Sequence, residues 1–494
     1  MAQILERDLI ERACALWNVP GVSIFISSDG TVLQQEAVGV RDWKRNLPAD
    51  TKTRFCIASC TKSFTTAIAL MLQERGMLDI DRPLCEYIPD FRIRDELAGR
   101  QICLRDMFLH RTGLAPHEFT WPYYEIDDRE YLNRLRYLDM ESPFRKETSY
   151  NNVMYILAGY IESIVAKKSW AEMVREMIFE PIGMHDSYVS LEEAAKFGEK
   201  NLSCAYRESG GHWEELCSIA PKARASGSIV STARDLGKWL KFQLDGKSAE
   251  GRTILSSESR RQLHRPQVVF GEKTWGFEAS CMPICYGLGW FVRDYRNVRV
   301  VYHHGGTMGG CSLQAFIEEK NICFSALVNL HGAGAAFLDG LLFTAVDRLL
   351  GLEEHDWIGE YAKVKNTSIY EKNYLPESTA PVVESTPGRE WMKMAAGRYR
   401  NDGYGEIEIV FDTESGFRMK FKNKIYKLEH HDGLVYRVSD MRADTEFYVL
   451  PVSFHMDGQG DVVDLEIPFE RRVEPIIFSK QTAERGDGEC LLIM

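Results

Sequence analysis

Residues 55–75 read Phe-Cys-Ile-Ala-Ser-Cys-Thr-Lys-Ser-Phe-Thr-Thr-Ala-Ile-Ala-Leu-Met-Leu-Gln-Glu-Arg, and their pattern predicts one helix. Ala, Leu and Met favour helix, Gly76 is suited to close it, and Phe64, Ile68, Met71 and Leu72 recur at helical intervals. Every residue from Ala67 to Leu72 is apolar, which marks the helix as buried. Ser59 and Lys62 nevertheless stand in its first turn, three residues apart and therefore on one face. A hydroxyl beside an amine at the start of a buried helix is the arrangement of a nucleophile with a neighbouring proton acceptor. The helix N-terminus adds free backbone N–H groups and a partial positive charge, which suit a developing oxyanion. Taken alone, the stretch leaves open a plain N-cap at Ser59 and a solvated Lys62.

Upstream of this helix, residues 4–17 read as a helix, 21–28 as a strand, Asp29-Gly30 as a hairpin turn and 31–40 as the returning strand. Downstream, 102–110 is a short helix, 119–144 is rich in aromatics, and 153–165 is a second apolar helix. The aromatics, Trp121, Tyr123, Tyr124, Tyr131 and Tyr137 among them, read as packing within a helical subdomain rather than as a substrate wall. Ser231 reads as the N-cap of a further helix. Strand-like runs follow at 286–293, 298–303, 312–318 and 322–330, and a helix at 335–350 closes the unit. Strands at both ends around a helical middle predict an α+β unit: one antiparallel sheet, assembled from both ends of the segment and covered by helices on each face.

Beyond it the pattern changes. Residues 371–391 hold Pro376, Pro381 and Pro387 among Ser, Thr and Glu, as linkers do. About eight short strand-like runs then lie between 397 and 478, separated by Gly, Asp and Asn, which predicts a small up-and-down barrel. The expected division is 1–355, a linker 356–392, and a barrel 393–494.

A net charge of −12 argues against nucleic acid or an anionic membrane as the main partner. The 45% apolar and 27% charged fractions are those of an ordinary soluble globular chain. No basic and apolar leader is visible at the start. Twelve scattered cysteines without such a leader are expected to be reduced thiols, which places the chain in the cytoplasm. Their spacing suits no zinc site, and neither metal nor cofactor is expected.

Two further motifs accompany Ser59-Cys60-Thr61-Lys62. Tyr150-Asn151-Asn152 leads the second apolar helix, and His303-His304-Gly305-Gly306-Thr307-Met308-Gly309 lies on a strand. Other Y-x-N and His-x-Gly matches, at Tyr131, Tyr295, Tyr399 and His431, lack those settings. In this order the three motifs resemble the active-site triplet of the serine β-lactamase and penicillin-binding superfamily. The resemblance is strongest to class C β-lactamases, DD-peptidases, D-aminopeptidases and esterase relatives. It covers about residues 5–350, and the tail resembles the lipocalin-like domain attached to some D-aminopeptidase-type members.

The resemblance implies a β-lactamase/transpeptidase-like fold with an all-helical subdomain and a catalytic set of Ser59, Lys62 and Tyr150. Asn152, His303, Gly305 and Gly306 would bind substrate, with an oxyanion hole at the N–H groups of Ser59 and Gly306. The charge of Lys62 is expected to favour a Tyr150 phenolate, and which of the two is the base stays open. Histidine at 303, where many β-lactamases carry lysine, points to peptidase, amidase and esterase branches. The implied function is hydrolysis of an amide, peptide or ester through an acyl-enzyme. A small molecule or short peptide would be the partner, with a homo-oligomer left open. An acyltransferase or peptide cyclase on the same acyl-enzyme, and a non-catalytic penicillin-binding sensor or scaffold, are the alternatives.

Overall fold

The structure is a computed structural model that describes residues 3–120, 127–197, 200–216, 224–271, 284–307, 309–363, 387–414, 416–422, 424–438, 450–470 and 472–481. It forms two compact units, Met1–Asn373 and Tyr374–Met494.

The first unit is built on a nine-stranded antiparallel sheet. Its strands in chain order are β1 (Gly21–Ser28), β2 (Thr31–Asp42), β3 (Leu47–Pro48), β4 (Val268–Gly271), β5 (Ile284–Tyr286), β6 (Phe291–Tyr295), β7 (Val298–Thr307), β8 (Gly310–Ile317) and β9 (Ile322–Val328). They lie side by side as β3-β2-β1-β9-β8-β7-β6-β5-β4. The two ends of the segment meet where β1 pairs with β9, from Val22 opposite Val328 to Ser28 opposite Ile322. The β1–β2 connection is made by Asp29 and Gly30, with φ of 48° and 75°. Two successive positive φ values match the right-handed twist of a hairpin, and Asp-Gly tolerates them best.

Alternation along these strands divides the sheet into two faces. Val22, Ile24, Leu313, Ala315, Phe324 and Ala326 point to one side, into a core shared with α1 (Arg7–Trp17) and α5 (Gly334–Leu350). The other face is covered by α2 (Lys62–Glu74), which contacts α3 (Asn152–Ala166), and by α4 (Ala233–Asp245). At Gly237 of α4 an added Cβ would collide with the Phe25 ring of β1, so this helix needs a glycine to lie so close. Thr232, not Ser231, caps α4, its hydroxyl accepting from the Asp235 N–H; Ser231 is instead paired with Phe55 in a two-residue strand.

Tyr131 is buried and hydrogen-bonded through its hydroxyl to Thr120 Oγ1 at 2.7 Å, as a packing residue, whereas Tyr137 is exposed. Trp121, Tyr123 and Tyr124 lie outside the described residues. The first unit's helices continue past residue 355, the expected end of the first domain. Helix α6 (Trp357–Lys363) follows it, and its Trp357, Ile358 and Tyr361 belong to the core of the first unit. Their i, i+1, i+4 spacing forms the apolar stripe of a docked helix. Of the expected linker, 364–386 lies outside the described residues.

In the second unit, eight strands between Gly397 and Lys480 form a closed barrel in sequential order. The first and last strands join through Tyr399 opposite Lys480 and Arg400 opposite Ser479. Side chains such as Phe417, Met419, Phe421 and Phe454 are buried in alternation with exposed or part-exposed neighbours. Tyr404 stacks on Phe469 at 5.5 Å, and Phe417 meets Tyr436 at 4.8 Å. An eight-stranded barrel is just wide enough for such side chains to fill.

Candidate active site

The nucleophile turn departs from the expected single helix. Phe55–Cys56 pairs as a short strand, Ala58–Thr61 forms a 3-10 turn, and the α-helix begins at Lys62. Ala58 has φ of 45°, a left-handed conformation that costs an alanine of the order of 1 kcal/mol. The surrounding structure imposes it. Ser312 Oγ donates to the Ile57 carbonyl at 2.7 Å, and Gln314 Nε2 donates to the Cys60 carbonyl at 3.2 Å and to Ser63 Oγ at 2.9 Å. Cys60 Sγ donates to the His303 carbonyl at 3.2 Å. Cys60 is otherwise inert: burial pushes its thiol up to about 12.

Gly305 is needed for the same docking, because a Cβ there would run into the Ile57 carbonyl and Ser312 Oγ. Gly306 is different. It is exposed, and a Cβ on it would meet nothing within 4 Å, so β7 opens onto free space at this point.

Lys62 is fully buried, and its amine has three neighbours: Ser59 Oγ at 3.0 Å, Asn152 Oδ1 at 2.6 Å and the Ser226 carbonyl at 2.9 Å. Desolvation lowers its pKa from 10.5 to about 7, with the Glu118 carboxylate pulling the other way. A neutral amine has two N–H donors and one lone pair. Asn152 Oδ1 and the Ser226 carbonyl only accept, so they take the two donors. The lone pair is left facing the Ser59 hydroxyl.

Tyr150 immediately precedes Asn151, the N-cap of α3, whose side chain accepts from the Met154 N–H. The Asn151 N–H donates to His110 Nδ1 at 3.0 Å, and its amide donates to the Leu114 and Ala115 carbonyls. These bonds set the start of the helix and place the Tyr150 ring 4.7 Å from Lys62 Nζ. Burial pushes the Tyr150 phenol well above its usual range, and its hydrogen bond to Ser59 only partly opposes this. The expected Tyr150 phenolate, favoured by a charged Lys62, is opposed by burial, which favours a neutral amine next to a neutral phenol.

His303 is 1% exposed, and both its ring nitrogens are engaged. Nδ1 donates to the His304 carbonyl, and Nε2 accepts from the Tyr286 hydroxyl at 3.0 Å. Desolvation, and then the charge of Lys62, lower its pKa to about 3. It is a neutral ring in the wall of the site.

One further residue carries no spacing signal in the sequence. Glu118, in the 3-10 turn Glu118–Thr120, accepts from Asn152 Nδ2 at 3.0 Å. The structure thus brings Ser59, Lys62, Asn152 and Glu118 into one hydrogen-bonded chain, with Tyr150 against it and His303 behind. Met308 lies outside the described residues. Among the described residues, no group of three His, Cys, Asp or Glu side chains is placed to hold a metal ion.

A serine beside a buried lysine, on a helix docked against an antiparallel sheet, defines a class of serine hydrolases and acyltransferases that work through an acyl-enzyme. This chain belongs to the beta-lactamase family, whose model matches residues 9–345. It is 26% identical over 445 residues to unguisins hydrolase ungD of Aspergillus violaceofuscus (strain CBS 115571), covering 83% of this chain and 77% of that protein. The solved octameric penicillin-binding protein homologue from Pyrococcus abyssi matches 96% of this chain and 98% of that one, with a TM-score of 0.60 at 20% identity, a likeness of fold. D-amino acid amidase from Ochrobactrum anthropi SV3 matches 70% of this chain and 95% of its own, with a TM-score of 0.55 at 26% identity. Among the described residues no helix is long and apolar enough to cross a membrane.

Proposed function

We propose that this chain is a serine hydrolase that cleaves an amide, peptide or ester through an acyl-enzyme on Ser59. The observation that carries the reading is the Lys62 amine, 3.0 Å from Ser59 Oγ and held near a pKa of about 7. A base poised close to the working pH is the most effective proton acceptor. In this reading Lys62 takes the Ser59 proton as Oγ bonds to the substrate carbonyl carbon. Negative charge on the carbonyl oxygen is received by the backbone N–H groups of Ser59 and Gly306. Tyr150, kept protonated by burial, donates to the leaving amine or alcohol as its bond to carbon breaks. The proton on Lys62 then passes to the Tyr150 phenolate, which restores both groups. Water attacks the ester carbonyl carbon, Lys62 takes its proton, and that proton goes to Ser59 Oγ as the acyl bond breaks.

Asn152 orients the amine, and Gly305 lets β7 dock on the nucleophile turn. His303, buried and neutral, supports Tyr286 rather than offering a cation to a substrate carboxylate. That supports amidase, peptidase or esterase chemistry over recognition of an anionic β-lactam. One relative is named a hydrolase and another a D-amino acid amidase, which favours water as acceptor over acyl transfer or cyclisation.

A fluorophosphonate probe with intact-mass detection tests the reading. A single adduct is expected on the wild type and none on Ser59→Ala. Persistent labelling of that variant overturns the assignment. A panel of esters, D- and L-aminoacyl amides and a β-lactam then identifies the acyl group.

A further inference from the structure

Glu118 stands at the far end of the chain of hydrogen bonds that reaches Ser59. A carboxylate only accepts, so it holds the NH2 end of the Asn152 amide, at 3.0 Å. The oxygen end is thereby turned to Lys62, at 2.6 Å. Were the amide reversed, an NH2 group would face the amine in place of its acceptor, and the lone pair would lose its single direction toward Ser59.

We propose that Glu118 is a positioning residue for the base: through Asn152 it aims the Lys62 amine at Ser59, and its negative charge raises the pH above which that amine is free to act. The inference rests on the reading of Ser59 and Lys62 given above. Lys62 is faced by Ser59 and Cys60 from its own segment and by Tyr150, Asn152 and Tyr155 from the start of α3. The aromatic cluster behind Tyr150 adds His110, Tyr286 and His303. Burial holds these tyrosines and the Cys60 thiol protonated and keeps both histidines neutral. Glu118 is the one carboxylic acid among these described groups. Its carboxylate favours the ammonium form of Lys62 against desolvation.

The sign follows directly. Removing the charge lowers the Lys62 pKa, so the neutral base persists to lower pH. The test is the pH profile of Ser59 labelling by a fluorophosphonate, as a second-order rate constant on the full chain. For the wild type the rate should rise with pH through a midpoint near 7, the value to which Lys62 is brought.

Glu118→Gln keeps an oxygen to accept from Asn152 but loses the charge. Its midpoint should fall by about half to one pH unit, with a plateau within about threefold of wild type. Glu118→Ala loses both roles, and its plateau should drop at least about tenfold, because the amine is no longer aimed. An unchanged midpoint in Glu118→Gln overturns the inference. So does a complete loss of labelling in that variant, which would make Glu118 itself the base. If Glu118→Ala does not fold, the Glu118→Gln midpoint decides alone. A wild type that is not labelled at Ser59 overturns the reading of the site before any Glu118 variant is compared.

Discussion

Strands β7, β8 and β9 present two faces that are held in different ways. Toward α1 and α5 they show Val300, Leu313, Ala315, Phe324 and Ala326, and burial fastens most of this side, with a polar tie from His304 Nε2 to Asp339 Oδ1 of α5 at 2.9 Å. Toward α2 and α4 the same strands show His303, Ser312, Gln314 and Ser325, all buried. Three of these polar residues bond the covering layer: Ser325 Oγ reaches the Ala233 carbonyl at 2.7 Å, and Ser312 and Gln314 hold the turn of Ser59, while the His303 ring bonds within the sheet. Non-directional burial tolerates small shifts, whereas a hydrogen bond fixes an atom to a few tenths of an ångström. The core face therefore supplies stability and the site face supplies position. The site face also carries the costs, namely the left-handed Ala58, the desolvated Lys62 amine and a Gln314 Oε1 with no partner among the described residues.

The largest effect that would sharpen this contrast is expected at Lys62. Lys62→Met should slow labelling of Ser59 by about three orders of magnitude, the middle of the range for a general base. The same change should raise Tm at pH 7, because a group forced to stay neutral at a cost is gone. The folded pKa of about 7 lies below the ordinary 10.5, so the stability linked to Lys62 is full above 10.5 and is lost as pH falls toward 7. The advantage of Lys62→Met should thus be greatest near pH 7 and narrow toward pH 10. A variant less stable than wild type at pH 7 would break the argument.

A second pair exchanges the two readouts. Leu313→Ala, on the core face and 0% exposed, should cost about 2–5 kcal/mol in denaturant unfolding and leave the labelling rate of the folded protein nearly unchanged. Ser312→Ala, the next residue but on the site face, should cost about 1 kcal/mol and slow labelling, since the Ile57 carbonyl loses its tether. Equal effects of both variants on both measurements would show that the faces do not divide their tasks.

The sequence made the sheet legible because its signal is local. Alternation in β7–β9, the Asp29-Gly30 turn and the apolar run of α2 each follow from neighbouring residues. The triplet of Ser59, Tyr150 and His303 was legible as a pattern, and the structure gathers it. What stayed hidden was set by distant parts of the chain. The 3-10 turn at Ser59 is dictated by Ser312 and Gln314, about 250 residues away. Glu118 enters through the turn that carries it and follows no motif. The protonation of Lys62 and Tyr150 was misjudged because charge was weighed and burial was not. Trp357, Ile358 and Tyr361, an apolar stripe just past the expected boundary at 355, pack into the core of the first unit.

The smallest effect concerns histidines on the site face. His264 is buried against Phe316 of β8, with ring centroids 4.7 Å apart, and its Nε2 shares a hydrogen bond of 2.8 Å with Gln243 Oε1. Desolvation, and then the charge of Arg260, lower its pKa to about 3. His303 is brought to about 3 and His117 to about 4, while His110 is lowered well below its ordinary value. For each of the four the folded pKa lies below the unfolded value of about 6.5. The unfolded chain therefore binds a proton that the folded chain refuses. Stability is full above pH 6.5 and is lost as pH falls toward 4 and 3. At pH 5.5 the loss per histidine is set almost wholly by the unfolded pKa, and amounts to about 1 kcal/mol. Replacing His264, which touches neither Ser59 nor Lys62, should remove one such share. The drop in unfolding free energy between pH 7.5 and 5.5 should be smaller by about 1 kcal/mol in His264→Asn than in wild type, whatever the substitution costs at pH 7.5. Parallel pH profiles for the two proteins would mean that His264 is protonated in the folded state. The acid sensitivity would then have to be sought away from the site face.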